Sequence, residues 1–170
     1  MSVKIDVLPV IQDHYDTLVD QQPYGAAPKV NPWDIVTQYG LPVLAAAGAL
    51  LAGASLKGLS SLLAGAAILT AFSFGLAVFA FQTRAADTGT AGSHRRRLLD
   101  EFFGNVLYSV LVGLGLTTAL MVSASQAANP DQAGPLGTAI IIALGLHYLL
   151  ILLMCIKRLR AAYLLSLIHI

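Results

Sequence analysis

His147 is the one ionisable side chain set well inside an apolar stretch of this 170-residue sequence. Such a group is a functional candidate, because carrying it into hydrocarbon is costly unless it has a partner or a task. A second feature is Asn105, Ser109, Gly113 and Thr117, which follow one another at four-residue steps with Thr118 alongside. On a helix these residues share one face. A small polar face of that kind either hydrogen-bonds a neighbouring helix or lines a water-filled path between copies of the chain. Proton relays and ion-coupled transporters use carboxylates within the membrane, and all nine Asp and Glu residues lie outside the apolar stretches. His147 is therefore expected to stay neutral, bonded to Ser109, Thr117 or Thr118, with a gating or pore role as the alternative.

The other candidates are basic. Arg95, Arg96 and Arg97 are consecutive, and Lys157 and Arg158 follow the last apolar stretch. Guanidinium groups offer planar, charge-assisted donors to phosphate, so this set suits anionic lipid headgroups, a nucleotide signal or nucleic acid, or simply anchors the chain on one side of a membrane. There is no phosphate-binding glycine loop, no Cys or His cluster at metal spacing and no Ser, His and Asp set on one face. The expectation is a protein that is not an enzyme and holds no cofactor or metal. His14 and His94 have no recognisable partner near them in sequence.

The elements that must position these residues are four apolar stretches, at 39–56, 59–81, 105–122 and 136–156. Each meets or nearly meets the ~20 residues needed to cross ~30 Å of hydrocarbon. The composition agrees, with 56% hydrophobic and 11% charged residues. Lipid cannot satisfy backbone polar groups, so apolar runs without period-2 alternation must be helices, and the fold class is all-α. Lys57 alone among the ten Lys and Arg residues lies in a connection on the opposite side from the termini. By the positive-inside rule both termini face the cytoplasm of a bacterial inner membrane. Ser2 to Asp20 has no signal-peptide pattern, and Cys155, the single cysteine, reads as an apolar filler.

Residues 1–38 are expected to form a cytoplasmic amphipathic helix and a connector. Ile5, Leu8, Ile11, Tyr15, Leu18 and Val19 recur at helical spacing, and Gln21 to Val30 holds Pro23, Gly25 and Pro28. Asn31, Pro32 and Asp34 form a helix-start pattern, and Gly40 and Pro42 suggest a hinge before the first span. Residues 39–160 form the four-helix transmembrane domain, arranged as two antiparallel hairpins. The short link at Ser55 to Gly58 predicts close packing of the first two spans through Ala45, Ala49 and Gly53 against Ala67, Ala71 and Gly75. Gln82 to Ser93 reads as a polar loop, and His94 to Glu101 as a short surface helix.

Leu98 to Leu116, LLDEFFGNVLYSVLVGLGL, together with His147 to Tyr163, HYLLILLMCIKRLRAAY, resembles a pattern in small bacterial four-helix inner-membrane proteins. Some of these resemble the channel domains of anti-phage membrane effectors, and DHYDTLVD from Asp13 to Asp20 is similar to their opening helix. The more specific matching residues are Asn105, Tyr108, His147, Lys157 and Arg158. The resemblance implies an oligomeric pore governed by a cytoplasmic nucleotide signal, although a separate ligand-binding domain is missing from the pattern. Leu165 to Ile170, LSLIHI, resembles a translated sequencing adapter, and within the 161–170 tail these six residues are set aside from functional argument. The leading expectation is a homo-oligomeric, channel-like effector lined by the third span. The alternative is a non-conducting anchor or partner subunit for a cytoplasmic protein.

Overall fold

Backbone polar groups have no partner in lipid, and the chain meets that constraint with four long helices. The computed structural model describes residues 6–20, 29–30, 32–86, 94–126 and 131–168. Asn31, most of the connector expected over 21–30 and residues 87–93 of the loop expected over 82–93 lie outside these residues, while 82–86 continue the helix of the second span instead of forming a loop. The spanning helices are Pro32–Leu51, Leu59–Ala86, Arg96–Gln126 and Pro135–Arg160, each long and apolar enough to cross a membrane. They make the chain a multi-pass membrane protein. The third helix begins earlier, at His94, and the fourth continues to Ile168. The charged segment expected as a separate surface helix is thus the first turns of the third span, since nothing between Arg97 and Asn105 breaks a helix. A short N-terminal helix, Leu8–Asp16, precedes the bundle, and Val19–Asp20 pairs antiparallel with Lys29–Val30.

Pro32 starts the first span at a position where its missing N–H costs nothing, with Asp34 in the first turn. Val36–Gly40 then widens into a single π turn. The cause is Pro42, which cannot donate to the carbonyl four residues back and whose ring crowds it. That carbonyl belongs to Gln38. Gly40 itself keeps helical angles, so the irregularity at the place expected to hinge, Gly40 and Pro42, takes the form of the wide turn.

The third span is central. Of its apolar window 39% is buried, against 11% for the first span. Phe81 meets Phe103 and Arg84 meets Asp100 between the second and third spans. Tyr108 meets His147 and Glu101 meets Arg158 between the third and fourth. The first span lies on the fourth rather than on the second, joined by Gln38 with His147 and Leu56 with Thr138. The close approach expected between the first two spans is therefore replaced. Gly53 and Gly75 have open space where a Cβ would stand, and Ala67 and Ala71 are exposed.

The loops explain this placement. Ala133 donates to the Leu56 carbonyl at 2.8 Å, Leu56 to the Thr138 hydroxyl at 2.9 Å, and the Gln132 amide to Ser55 at 2.9 Å. Asp131 accepts from Ser60 N–H and hydroxyl at 3.1 and 2.8 Å, capping the second span, and these bonds hold its carboxyl below the usual range. The first loop is thus tied to the second, and the first span is carried over to the fourth.

The small residue that does allow close approach is Gly113. A Cβ there would stand 2.5 Å from Thr70 Oγ1 of the second span and 3.2 Å from Thr70 Cβ. Thr70 is held in place by donating to the Ala66 carbonyl at 2.8 Å. Gly113→Ala should cost about 1–3 kcal/mol through overpacking. Adding Thr70→Ala should recover most of the loss, read as thermal unfolding in detergent. A neutral Gly113→Ala would show that the two helices are not held this closely.

Candidate functional site

At the basic end of the bundle a polar and aromatic cluster forms from four helices. The N-terminal helix contributes His14 and Tyr15, the first span Gln38 and Tyr39, the third Asn105 and Tyr108, and the fourth His147. Its geometry starts from Pro42. With no N–H at residue 42, the Gln38 carbonyl is free to accept from another group, and His147 Nδ1 donates to it at 3.0 Å. A carbonyl only accepts, so Nδ1 carries the imidazole proton and Nε2 is the lone-pair nitrogen. Tyr108 therefore donates its hydroxyl proton to His147 Nε2, at 3.0 Å. Tyr39 leans over the His147 ring with centroids 5.0 Å apart and stacks on Tyr15 at 5.6 Å.

On its other side Tyr108 stacks on His14, with ring centroids 4.0 Å apart and planes 15° apart. His14 is fully buried and donates from Nδ1 to Asn105 Oδ1 at 2.7 Å. The Thr17 hydroxyl lies 2.9 Å from the same oxygen and 2.6 Å from the His14 carbonyl. Gly104 makes this docking possible, because a Cβ there would come within 3.3 Å of Asp13 Cβ. Among the described residues, His14 Nε2, Asn105 Nδ2 and Gln38 Nε2 are buried without a partner.

The N-terminal helix is consequently turned differently from the sequence expectation. Ile11, His14, Thr17 and Leu18 face inward, whereas Leu8 and Tyr15 are exposed. His14 was legible only as a helical neighbour of Ile11 and Leu18. Its partner Asn105 is 91 residues away, beyond the reach of local pattern.

The third-span stripe points into the protomer at Asn105, Ser109 and Gly113, whereas Thr117 is half-buried and Thr118 exposed. Asn105 and Ser109 are wholly buried, Ser109 donating to the Val106 carbonyl at 2.7 Å. Gly113 faces Thr70, and Thr117 and Thr118 bond back to the Leu114 carbonyl. His147 thus bonds Tyr108 and the Gln38 carbonyl in place of the Ser109, Thr117 or Thr118 partner expected. One turn deeper, Ser73 commits its proton to the Leu69 carbonyl and accepts from Tyr148 at 2.7 Å.

The basic residues divide. Arg158 pairs with Glu101 and donates to the Thr17 carbonyl at 2.6 Å, setting a cation at the end of the N-terminal helix, where the helix dipole favours one. Arg97 also approaches Glu101, at 3.5 Å. Arg84 pairs with Asp100 at 2.5 Å and lies over Phe103. Arg96 makes contacts of its own, and the Arg95 side chain is outside the described residues. Lys157 lines a cavity beside Asp34 and Gln38. Among the described residues no three of His, Cys, Asp and Glu come together as a metal-ligand set.

Burial holds the His14 imidazole down at about 4, against an ordinary 6.5, with the Asn105 bond opposing the shift. The undocked helix therefore takes up a proton at higher pH than the docked one. Docking should be fully present above about pH 6.5 and weaken progressively as pH falls towards 4, by an amount on the order of 3 kcal/mol. Amide exchange over residues 8–18, corrected for intrinsic rate, should show this loss, and His14→Gln should flatten it. An unchanged pH profile in His14→Gln would sink the assignment.

The tautomer gives a second check. Solid-state 15N spectra should show His147 protonated on Nδ1 and bare on Nε2, and Pro42→Ala should disturb that state by supplying a competing donor to the Gln38 carbonyl. A proton found on Nε2 would contradict the geometry. Compared with protein-family models, with curated proteins and with solved structures, the chain matches none.

Proposed function

We propose that this chain is a non-conducting, multi-pass subunit of the bacterial inner membrane, with both termini in the cytoplasm, that anchors a cytoplasmic partner protein. The observation that carries the reading is the third-span stripe. A path between copies would need polar side chains on the outside of the protomer, yet Asn105 and Ser109 are wholly buried, Gly113 is filled by Thr70, and the outer Thr117 and Thr118 commit their protons to the Leu114 carbonyl. The faces left outside are largely apolar, including Ile68, Phe72 and Phe79 on the second span and Leu44 and Leu51 on the first. Such surfaces suit lipid tails and offer an ion no hydration substitute.

The orientation follows from charge. Arg84, Arg97, Lys157 and Arg158 gather at one end of the bundle with the N-terminal helix, while Lys57 stands at the other. Basic residues near the ends of spans stay on the cytoplasmic side. There the N-terminal helix is held by His14 on its inner side and leaves Val7 and Leu8 exposed on its outer side, the surface offered to the partner.

Purified full-length chain in planar bilayers should give no discrete current while its circular dichroism and unfolding transition show a folded helical protein. Its overexpression should leave the membrane potential unchanged by a potential-sensitive dye. Unitary current steps, or depolarisation on expression, would overturn the reading and return a pore to consideration.

A further inference from the structure

A cavity of about 460 Å³ opens at the basic end, between the first turns of the first span, the last turns of the fourth and the start of the third. Its size falls within the range of about 300–1,000 Å³ typical of ligand sites. The wall contains two kinds of charge. Glu101 is already balanced by Arg158 and Arg97. Asp34 and Lys157 have no ion-pair partner among the described residues, so the cavity presents one free carboxylate and one free ammonium. That pattern complements a ligand carrying a cation and an anion a short distance apart.

Gln38 sharpens the chemistry. It is 6% exposed, lines the cavity, and its Nε2 has no hydrogen-bond partner among the described residues. Its backbone carbonyl is already taken by His147, and its side-chain amide keeps an unmet donor. A buried donor without an acceptor is unfavourable, and a bound anionic oxygen would relieve it. Beside these polar groups the wall is apolar, with Leu98, Met154 and Leu153. Leu153 is 61% exposed on the outer side of the fourth span, so the cavity continues onto the lipid-facing surface. Trp33, 75% exposed, stands next to Asp34 in the chain, in the first turn of the span, at the level where indole rings meet headgroups.

We propose that this cavity binds the headgroup of an aminophospholipid, with its phosphate on Gln38 Nε2 and Lys157, its ammonium on Asp34 and its acyl chains along Leu153. The site rests on the membrane reading of the chain and is independent of whether the protein conducts. It would make the protein selective for the amine-bearing lipid over an equally phosphorylated glycerol lipid, because only the former has a group for Asp34.

The test uses delipidated full-length chain in detergent, titrated with short-chain phosphatidylethanolamine, with phosphatidylglycerol of the same chain length, and with soluble phosphoethanolamine, each read as the shift in thermal unfolding. Phosphatidylethanolamine should act at about tenfold lower concentration than phosphatidylglycerol, the worth of one charge-assisted contact. Soluble phosphoethanolamine should act only at far higher concentration, for want of the apolar contact. Asp34→Asn should abolish the preference between the two lipids, and Lys157→Gln should weaken both. Both residues are exposed at the rim, so neither change threatens the fold. Equal response to the two lipids in the natural chain, a soluble headgroup acting as well as the lipid, or an Asp34→Asn variant that keeps the preference would each overturn the proposal. Bilayer currents bear on the proposed function and leave this site untouched, so the two readings fail separately.

Discussion

A polar side chain carried into hydrocarbon must find its partner inside the protein, because lipid offers none. That constraint orders the bundle. The third span carries the most such groups, and the arrangement that bonds Asn105 Oδ1, Ser109 and Tyr108 places it at the centre, with the second span on one side, the fourth on another and the N-terminal helix across its basic end. The first and second spans occupy the perimeter, the first with Gln38 Nε2 left unmet beside its carbonyl bond to His147. Thr70 and Ser73, in the middle of the second span, turn inward and bond their own helix.

The same constraint explains why a proline stands in the first span. In water, a missing backbone donor is replaced by solvent. Here the carbonyl left open by Pro42 must be met from a neighbouring helix, and His147 supplies the proton. The exchange fixes the tautomer of His147, which in turn fixes the direction of the Tyr108 hydroxyl. Tyr108 packs its other face on His14, so a backbone irregularity in the first span is felt at the N-terminal helix through three side chains. Three helices and the N-terminal segment are joined without a charge being buried in the middle of the bundle.

How much of this could be read from sequence divides along the range of the forces involved. The four spans were plain, because hydropathy sums over about twenty neighbouring residues and needs no knowledge of partners. The helix ends were not, since Arg96 and Arg97 keep good helix propensity outside the apolar core and the helix runs through them. Small residues at four-residue spacing were visible on three spans, but spacing states that a close approach is possible and not with whom. Gly113 meets Thr70, whereas the equally regular Ala67, Ala71 and Gly75 face outward. The choice was made by loop contacts such as Leu56 with Ala133 and Thr138, which place the first span on the fourth. His14 and Asn105 escaped for the same reason. Pro42 and Gln38 were a local signal, four residues apart, that a carbonyl would be looking for a donor.

The charges at the basic end follow a related logic. Five cationic positions suggested a surface for phosphate, and the structure shows that a run of arginines is not a measure of free charge. Glu101 sits at the meeting point of the third span, the fourth span and the end of the N-terminal helix, and it draws Arg97 and Arg158 onto itself, while Asp100 takes Arg84. Arg158, with 14% of its side chain exposed, is a structural tie more than a ligand group. What remains open to solvent chemistry is set by the residues these pairs leave over. Lys157, one helical position before Arg158, lines the same recess with Asp34 and Gln38 and has no ion-pair partner among the described residues. The ion pairs that close the end of the bundle thereby leave a mixed-charge recess beside it. Pro42 bears on this recess too. The wide turn that frees the Gln38 carbonyl for His147 also sets the side chain of Gln38 towards the cavity, so the interior and the rim are positioned by the same turn of helix.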